Sequence, residues 1–179
     1  FRMENQFGSR LSAARKMSGL SLQQLADKLG NVITKQSLNK YELGLMKPDS
    51  ELLIQISNLL GVTIDYFFRE NTVELNGVEF RKRSKLSKLQ ENAIKQKTVE
   101  FLERYFELEN ILDITATFVN PLKPHSICSL EDIEAQSLAL RQTWELGLNP
   151  ISNVIEMLED NHIKVYEIEA PESFDGLSA

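Results

Sequence analysis

The amino-acid sequence predicts a mainly α-helical protein: a five-helix domain over residues 1–70, a long connecting helix within 71–118, and a small, incomplete α+β module over 119–179. Three observations carry this expectation. Apolar residues recur at helical spacing in short runs that glycines close, a single helical pattern runs unbroken from Lys88 to Leu112, and strand-like alternation is confined to Val73–Phe80 and Ile163–Ile168.

The first helix is expected from Phe7 to Met17, with Phe7, Leu11, Ala14 and Met17 on one stripe and Gly19 ending it. Ser21-Leu22-Gln23-Gln24 then forms a capping-box pattern, in which Ser21 accepts from the amide three residues on and Gln24 reaches back. It opens a second helix carrying Leu22, Leu25, Ala26 and Leu29, closed by Gly30. Thr34 is the expected N-cap of a third helix, Lys35 to Leu43, which stops at Gly44. A fourth runs from Ser50 to Gly61, and Thr63–Phe68 supplies a last turn whose aromatics close the core.

The third helix is unlike its neighbours. Its apolar positions are only Leu38, Tyr41 and Leu43, while Lys35, Gln36, Ser37, Asn39 and Lys40 crowd its surface with hydrogen-bonding groups. A narrow apolar stripe packs one side; the other side is either a merely solvated face or a reading surface.

Beyond Phe68, Val73–Phe80 alternates around Asn76-Gly77 as a short hairpin would. The basic run Arg81-Lys82-Arg83-Ser84-Lys85-Leu86-Ser87-Lys88 follows; it fits either a phosphate backbone or a solubilising linker. Ser87-Lys88-Leu89-Gln90 is a further capping box, opening a helix of about 36–39 Å at 1.5 Å per residue. Its stripe of Leu89, Ala93, Phe101, Tyr105, Leu108 and Leu112 is too wide to stay in water. It should dock onto the acidic end or pair with the same helix of a second subunit, and Lys97 in the stripe favours packing within the chain.

In the last third, Pro121 and Pro124 mark a loop, Ser129-Leu130-Glu131-Asp132 caps a helix reaching Trp144, and Asn149-Pro150 is expected to start the next. Ile163–Ile168 should be a strand. One strand makes no sheet, so its partner should come from Val73–Phe80, or else the module is incomplete.

Composition narrows the function. At 42% hydrophobic and 26% charged residues the 179-residue chain reads as folded, neither disordered nor fibrous. Cys128 is the single cysteine, no run approaches the ~18 apolar residues of a membrane span, and no basic-then-apolar leader precedes Met3. A cytoplasmic location without a membrane partner is the expectation. The net charge of −6 is unevenly spread: residues 1–70 hold nine Lys/Arg and seven Asp/Glu, residues 71–112 eight and seven, and residues 113–179 three and twelve. The acidity therefore belongs to the last third, which should be held away from any polyanion bound by the front.

Residues 7–68 resemble the helix-turn-helix of lambda-repressor/Cro-like regulators, the XRE family. The resemblance rests on Gly19-Leu20-Ser21 before the second helix, Leu25-Ala26 within it, Tyr41-Glu42-Leu43-Gly44 closing a polar third helix, and Lys47-Pro48 before the fourth. It implies a sequence-specific, repressor-like regulator of transcription that lays its third helix in the major groove of double-stranded DNA, as a homodimer on a pseudo-palindromic operator. Carried over by position, Lys35, Gln36, Ser37, Asn39 and Lys40 would be the readers, Gln36 suited to an adenine edge and Lys35 or Lys40 to guanine or phosphate. The amides near Ser21 and Thr34, and Lys47, would meet phosphates. Arg81, Lys82 and Arg83 would extend the footprint. Two departures stand out: the usual phosphate-gripping glutamine is Leu22 here, leaving Gln23 or Gln24 to substitute, and the turn Gly30–Thr34 is longer than the shortest family form. Arg15 and Glu42 match a pair expected to bridge the first and third helices.

Trp144–Ala179 resembles the opening of an ImmA/IrrE-type metallopeptidase domain, on two helices, a strand and the close Asp175-Gly176-Leu177-Ser178-Ala179. In that family a His-Glu-x-x-His zinc helix follows further on. No such motif occurs in these residues: His125 and His162 lie far apart, and no catalytic residue, metal site or cofactor is expected. The alternative reading, the front part of a zinc metallo-endopeptidase that cleaves a repressor partner, requires a chain continuing past Ala179. A further protein partner for the acidic end is a third expectation.

Overall fold

The computed structural model describes residues 6–82, 86–115, 117–122 and 127–179. It is mainly helical. The chain forms α1 (Gln6–Met17), α2 (Leu22–Lys28), α3 (Lys35–Glu42), α4 (Ser50–Leu60), a 3-10 turn (Ile64–Phe68), β1 (Glu79–Lys82), α5 (Lys88–Ile111), α6 (Leu130–Thr143), α7 (Val154–Asp160) and β2 (Phe174–Ser178). Contacts group these into two compact units, one of residues up to Leu108 plus Ile168–Ala179, the other of Glu109–Glu167.

Caps set the helix starts in the first unit. The Ser21 hydroxyl accepts from Gln24 N–H at 3.2 Å while Gln24 Oε1 accepts from Ser21 N–H at 2.8 Å. Thr34 accepts from Ser37 N–H at 3.2 Å and Asp49 from Leu52 N–H at 2.8 Å. Gly61 ends α4 in the left-handed region, φ +67°, where a side chain would be strained. Removing the third-helix cap with Thr34→Ala should cost about 1 kcal/mol of stability, read from a urea titration, because an N-terminal amide loses its partner.

These helices enclose one core of Leu11, Ala14, Leu25, Ala26, Leu38, Ile56 and Phe67, all essentially without solvent contact. Each large apolar side chain there contributes about 1.5–3 kcal/mol by burial. Leu38 and Tyr41 are the buried residues of α3. Leu43, placed on the apolar stripe by its spacing, caps the helix instead and is 59% exposed.

The fixing of α5 is a finding that periodicity did not anticipate. Its apolar stripe does not seal it: within the unit only Ile94 and Glu103 are buried, and Phe106 and Leu108 are exposed. An acidic face does the docking. Arg10 of α1 donates through Nη1 to Glu103 Oε2 at 2.6 Å, with 2% of each side chain exposed. Its Nε donates to the Arg69 carbonyl at 2.9 Å, its Nη2 to the Glu70 carbonyl, and its guanidinium lies 5.2 Å from the Tyr66 ring centroid. Glu103 Oε1 accepts from the Thr72 amide at 3.0 Å, and Arg69 reaches Glu100 at 3.4 Å and Glu107 at 3.3 Å. Glu100, Glu103 and Glu107 fall on one helix face, three and four residues apart.

Burial alone would depress the Arg10 pKa, yet the hydrogen bond and charge of Glu103 outweigh it and raise the value above normal. Burial raises the Tyr66 pKa above 10.0, with Arg10 opposing in part. The folded state therefore prefers the protonated phenol. That contribution is fully present below pH 10 and is lost as pH climbs through the raised folded value. The urea midpoint should fall more steeply above pH 10 in the native protein than in Tyr66→Phe.

Two strand expectations are corrected. The Val73–Phe80 hairpin does not form: β1 begins only at Glu79 and pairs antiparallel with β2, in register Glu79↔Ser178, Phe80↔Leu177, Arg81↔Gly176 and Lys82↔Phe174. Phe80 and Phe174 meet edge-on with centroids 6.3 Å apart, a cross-strand contact that a turn at Asn76-Gly77 would not supply. Ile163–Ile168, although alternating, joins no ladder among the described residues, because a strand exists only where a second backbone pairs with it.

In the second unit, the Ser129–Asp132 capping box starts α6 as expected and Trp144 caps its end. The next helix starts at Val154, not at Asn149-Pro150. Arg141 holds the Gly147 and Asn149 carbonyls at 2.7 and 3.1 Å, keeping that stretch a loop, and Asn153 caps α7 by accepting from Glu156 N–H at 3.2 Å. α6 and α7 bury no residue completely. Among the described residues no helix is long and apolar enough to cross a membrane.

Candidate nucleic-acid interface

α2 and α3 are joined by a turn whose backbone is pinned at Gly30 and Asn31, φ +71° and +58°. Leu25 and Ala26 of α2 and Ile33 and Leu38 on the α3 side share the core, so the two helices form one rigid corner. The Arg15–Glu42 pair locks the far end of α3 to α1. Arg15 Nε and Nη2 donate to the two Glu42 oxygens at 2.6 and 2.8 Å, and Nη1 donates to the Leu20 carbonyl at 2.8 Å. This two-point bridge fixes the direction of α3 as well as its distance.

With Leu38 and Tyr41 turned into the core, Lys35, Gln36, Asn39 and Lys40 stand exposed, and Ser37 is half-buried. The Ser37 hydroxyl lies 3.1 Å from that of Thr34, so the first turn is internally bonded. Thr34 is exposed and engaged as the cap of α3, its hydroxyl accepting from the Ser37 amide. Gln23 is exposed and its amide donates to Asp27 at 2.9 Å, whereas Gln24 is committed to the capping box. Both glutamines carry amide N–H donors at the exposed start of α2, Gln24 using only its oxygen in the capping box and Gln23 donating to Asp27. Lys47 is exposed in the loop before α4. Arg81 is exposed on β1, Lys82 ends that strand, and Arg83 lies outside the described residues. The structure thus gathers Lys35, Gln36, Ser37, Asn39 and Lys40 on α3, with Thr34 as its cap, and leaves Gln23, Lys47 and Arg81 on separate elements of the same unit.

No pattern in the sequence singles out Arg10, Arg69 and Glu103, which hold α5 on this unit. The nearest signal was the 3-4 spacing of Glu100, Glu103 and Glu107 on a helix whose apolar stripe is broken by Lys97. Among the described residues no group of three His, Cys, Asp or Glu side chains is placed to hold a metal ion.

With that geometry in view, comparison with known proteins agrees on the class. Residues 11–67 match the family model described as helix-turn-helix, and together with the fold this makes the N-terminal segment a helix-turn-helix domain. The chain is 44% identical over 63 residues to an SPbeta prophage-derived uncharacterized HTH-type transcriptional regulator, YonR, of Bacillus subtilis (strain 168), covering 35% of this chain and 56% of that protein. It is 43% identical over 68 residues to the uncharacterized HTH-type transcriptional regulator YqaE of the same organism, 38% and 57% of the two chains. The HTH-type transcriptional regulator ImmR, also of Bacillus subtilis, is 35% identical over 66 residues, 37% and 50% of the two chains. The matches thus span about half the length of these relatives. No solved structure matches the chain.

Proposed function

We propose that this protein is a sequence-specific, double-stranded DNA-binding regulator of transcription, repressor-like, that reads the major groove with α3. The observation that carries the reading is the division of α3 between two buried side chains and an exposed row of Lys35, Gln36, Asn39 and Lys40, held at both ends by the Thr34 cap and the Arg15–Glu42 bridge. A helix burying so little contributes modestly to the core, and its rigid polar face suits base edges. Relatives named as HTH-type transcriptional regulators support the class.

In this reading residues 1–70 are the reading domain, Gln23, Lys47 and the amides at Ser21 and Thr34 take phosphates, and Arg81, Lys82 and Arg83 add non-specific contacts. Two copies read the half-sites of a pseudo-palindrome, about 34–36 Å apart. The acidic module, which resembles the opening of an ImmA/IrrE-type domain, serves regulation, with a protein partner as its ligand. The work is cytoplasmic.

The test is a binding-site selection on random DNA followed by a salt titration on the selected site. A tight, salt-dependent, sequence-selective complex is expected, with log affinity falling by ~0.9 per phosphate contact per log unit of salt. Equal affinity for selected and scrambled DNA would defeat the proposal. Neutralising Arg81, Lys82 and Arg83 together should weaken binding to all sequences alike and flatten the salt slope by up to ~3; an unchanged slope makes that run a linker.

A further inference from the structure

The turn that leads into α3 holds an apolar side chain in solvent. Val32 is 75% exposed, more than any other large apolar side chain described in residues 6–108. The turn around it is well tied: Gly30 N–H donates to the Asp27 carbonyl and Asn31 N–H to the Ala26 carbonyl, both at 3.0 Å. On the other side Ile33 is sunk in the core at 7% exposure, and Thr34 caps α3. Anchored on both flanks, the β-branched Val32 has few rotamers and is kept out in water, in the turn just ahead of Lys35 and Gln36 in the sequence. An apolar side chain there gains nothing from the fold. At the floor of the major groove, however, thymine presents a C5-methyl group that an apolar contact can read.

We propose that Val32 is a specificity-determining residue that packs its methyl groups against a thymine C5-methyl in the operator, next to the bases met by Lys35 and Gln36. The inference rests on the proposed reading role of α3. It gives the longer α2–α3 turn a use: the added length carries an apolar reader ahead of the helix. Taking the thymine methyl out of water strengthens binding by about fourfold, and the other bases lack that group at that position.

The test is a scan of the selected operator in which each thymine in turn becomes deoxyuracil, which removes the methyl and keeps the base pair. Native protein and Val32→Ala are compared, the exposure of the residue leaving the fold of the variant intact. The expected result is a position in each half-site where uracil weakens the native protein by about fourfold and Val32→Ala by less than about 1.5-fold. Equal uracil penalties for both proteins at every position, or no penalty anywhere, would overturn the Val32 assignment while leaving α3 as the reader. Absence of any operator preference in the native protein would overturn both.

Discussion

Glu103→Ala is expected to destabilise the N-terminal unit by about 3–5 kcal/mol, the cost of breaking a buried ion pair from one side. Arg10, 2% exposed, would keep its charge and its bonds to the Arg69 and Glu70 carbonyls but lose the carboxylate at 2.6 Å. The Thr72 amide would lose its acceptor as well. Hydrogen exchange at core amides such as Leu11 and Leu38 reads this loss in the unit where it occurs. The double replacement Arg10→Met with Glu103→Leu should recover the part owed to the unpaired guanidinium, since apolar side chains of similar volume need no partner, while the Thr72 amide and the Arg69 and Glu70 carbonyls stay without theirs. A loss under about 1 kcal/mol for Glu103→Ala would mean that the pair behaves as a surface salt bridge and that α5 is not held by it.

Second in size is the effect expected at α3. Gln36→Ala and Lys40→Ala should each remove about 1–3 kcal/mol of discrimination between the selected operator and its single-base variants. Both side chains are exposed, so unfolding should be nearly unchanged and the loss should appear in binding alone. A titration series on the operator and on variants altered one base pair at a time separates the roles. A residue on a base relaxes preference at one position, whereas one on a phosphate weakens all sequences alike and lowers the salt slope by ~0.9. If both variants kept the native preference, α3 would not be the reading element.

The parts of this molecule that were legible in the sequence are those decided within a few residues. The Ser21–Gln24 box, the Thr34 cap and the Gly61 stop are contacts over three or four positions, and each sits where the residue types placed it. The polar face of α3 was visible for the same reason. The Arg15–Glu42 bridge, although 27 residues apart, came through resemblance to other chains and not through pattern. What stayed hidden depends on distant partners. Arg10 and Glu103 are 93 residues apart, and although the spacing of Glu100, Glu103 and Glu107 marks an acidic helix face, nothing near it names Arg10 as the partner. Strand pairing was hidden likewise. Alternation is shared by Val73–Phe80, Ile163–Ile168 and other stretches, whereas the ladder of β1 with Phe174–Ser178, where Phe80 meets Phe174, joins residues far apart in the sequence. The start of α7 was misplaced because Asn149-Pro150 and Asn153 are both plausible caps, and the Arg141 bonds to the loop carbonyls decide between them.

Dimethyl sulfate protection on the selected operator shows whether α3 reads bases from the major groove, because the reagent methylates guanine N7 there and adenine N3 in the minor groove. Protection of guanine N7 is expected in two patches about one helical turn, ~34–36 Å, apart, weakened in each patch by Lys40→Ala. Protection confined to adenine N3, or guanine N7 groups left fully reactive in a saturated complex, would contradict major-groove reading by α3.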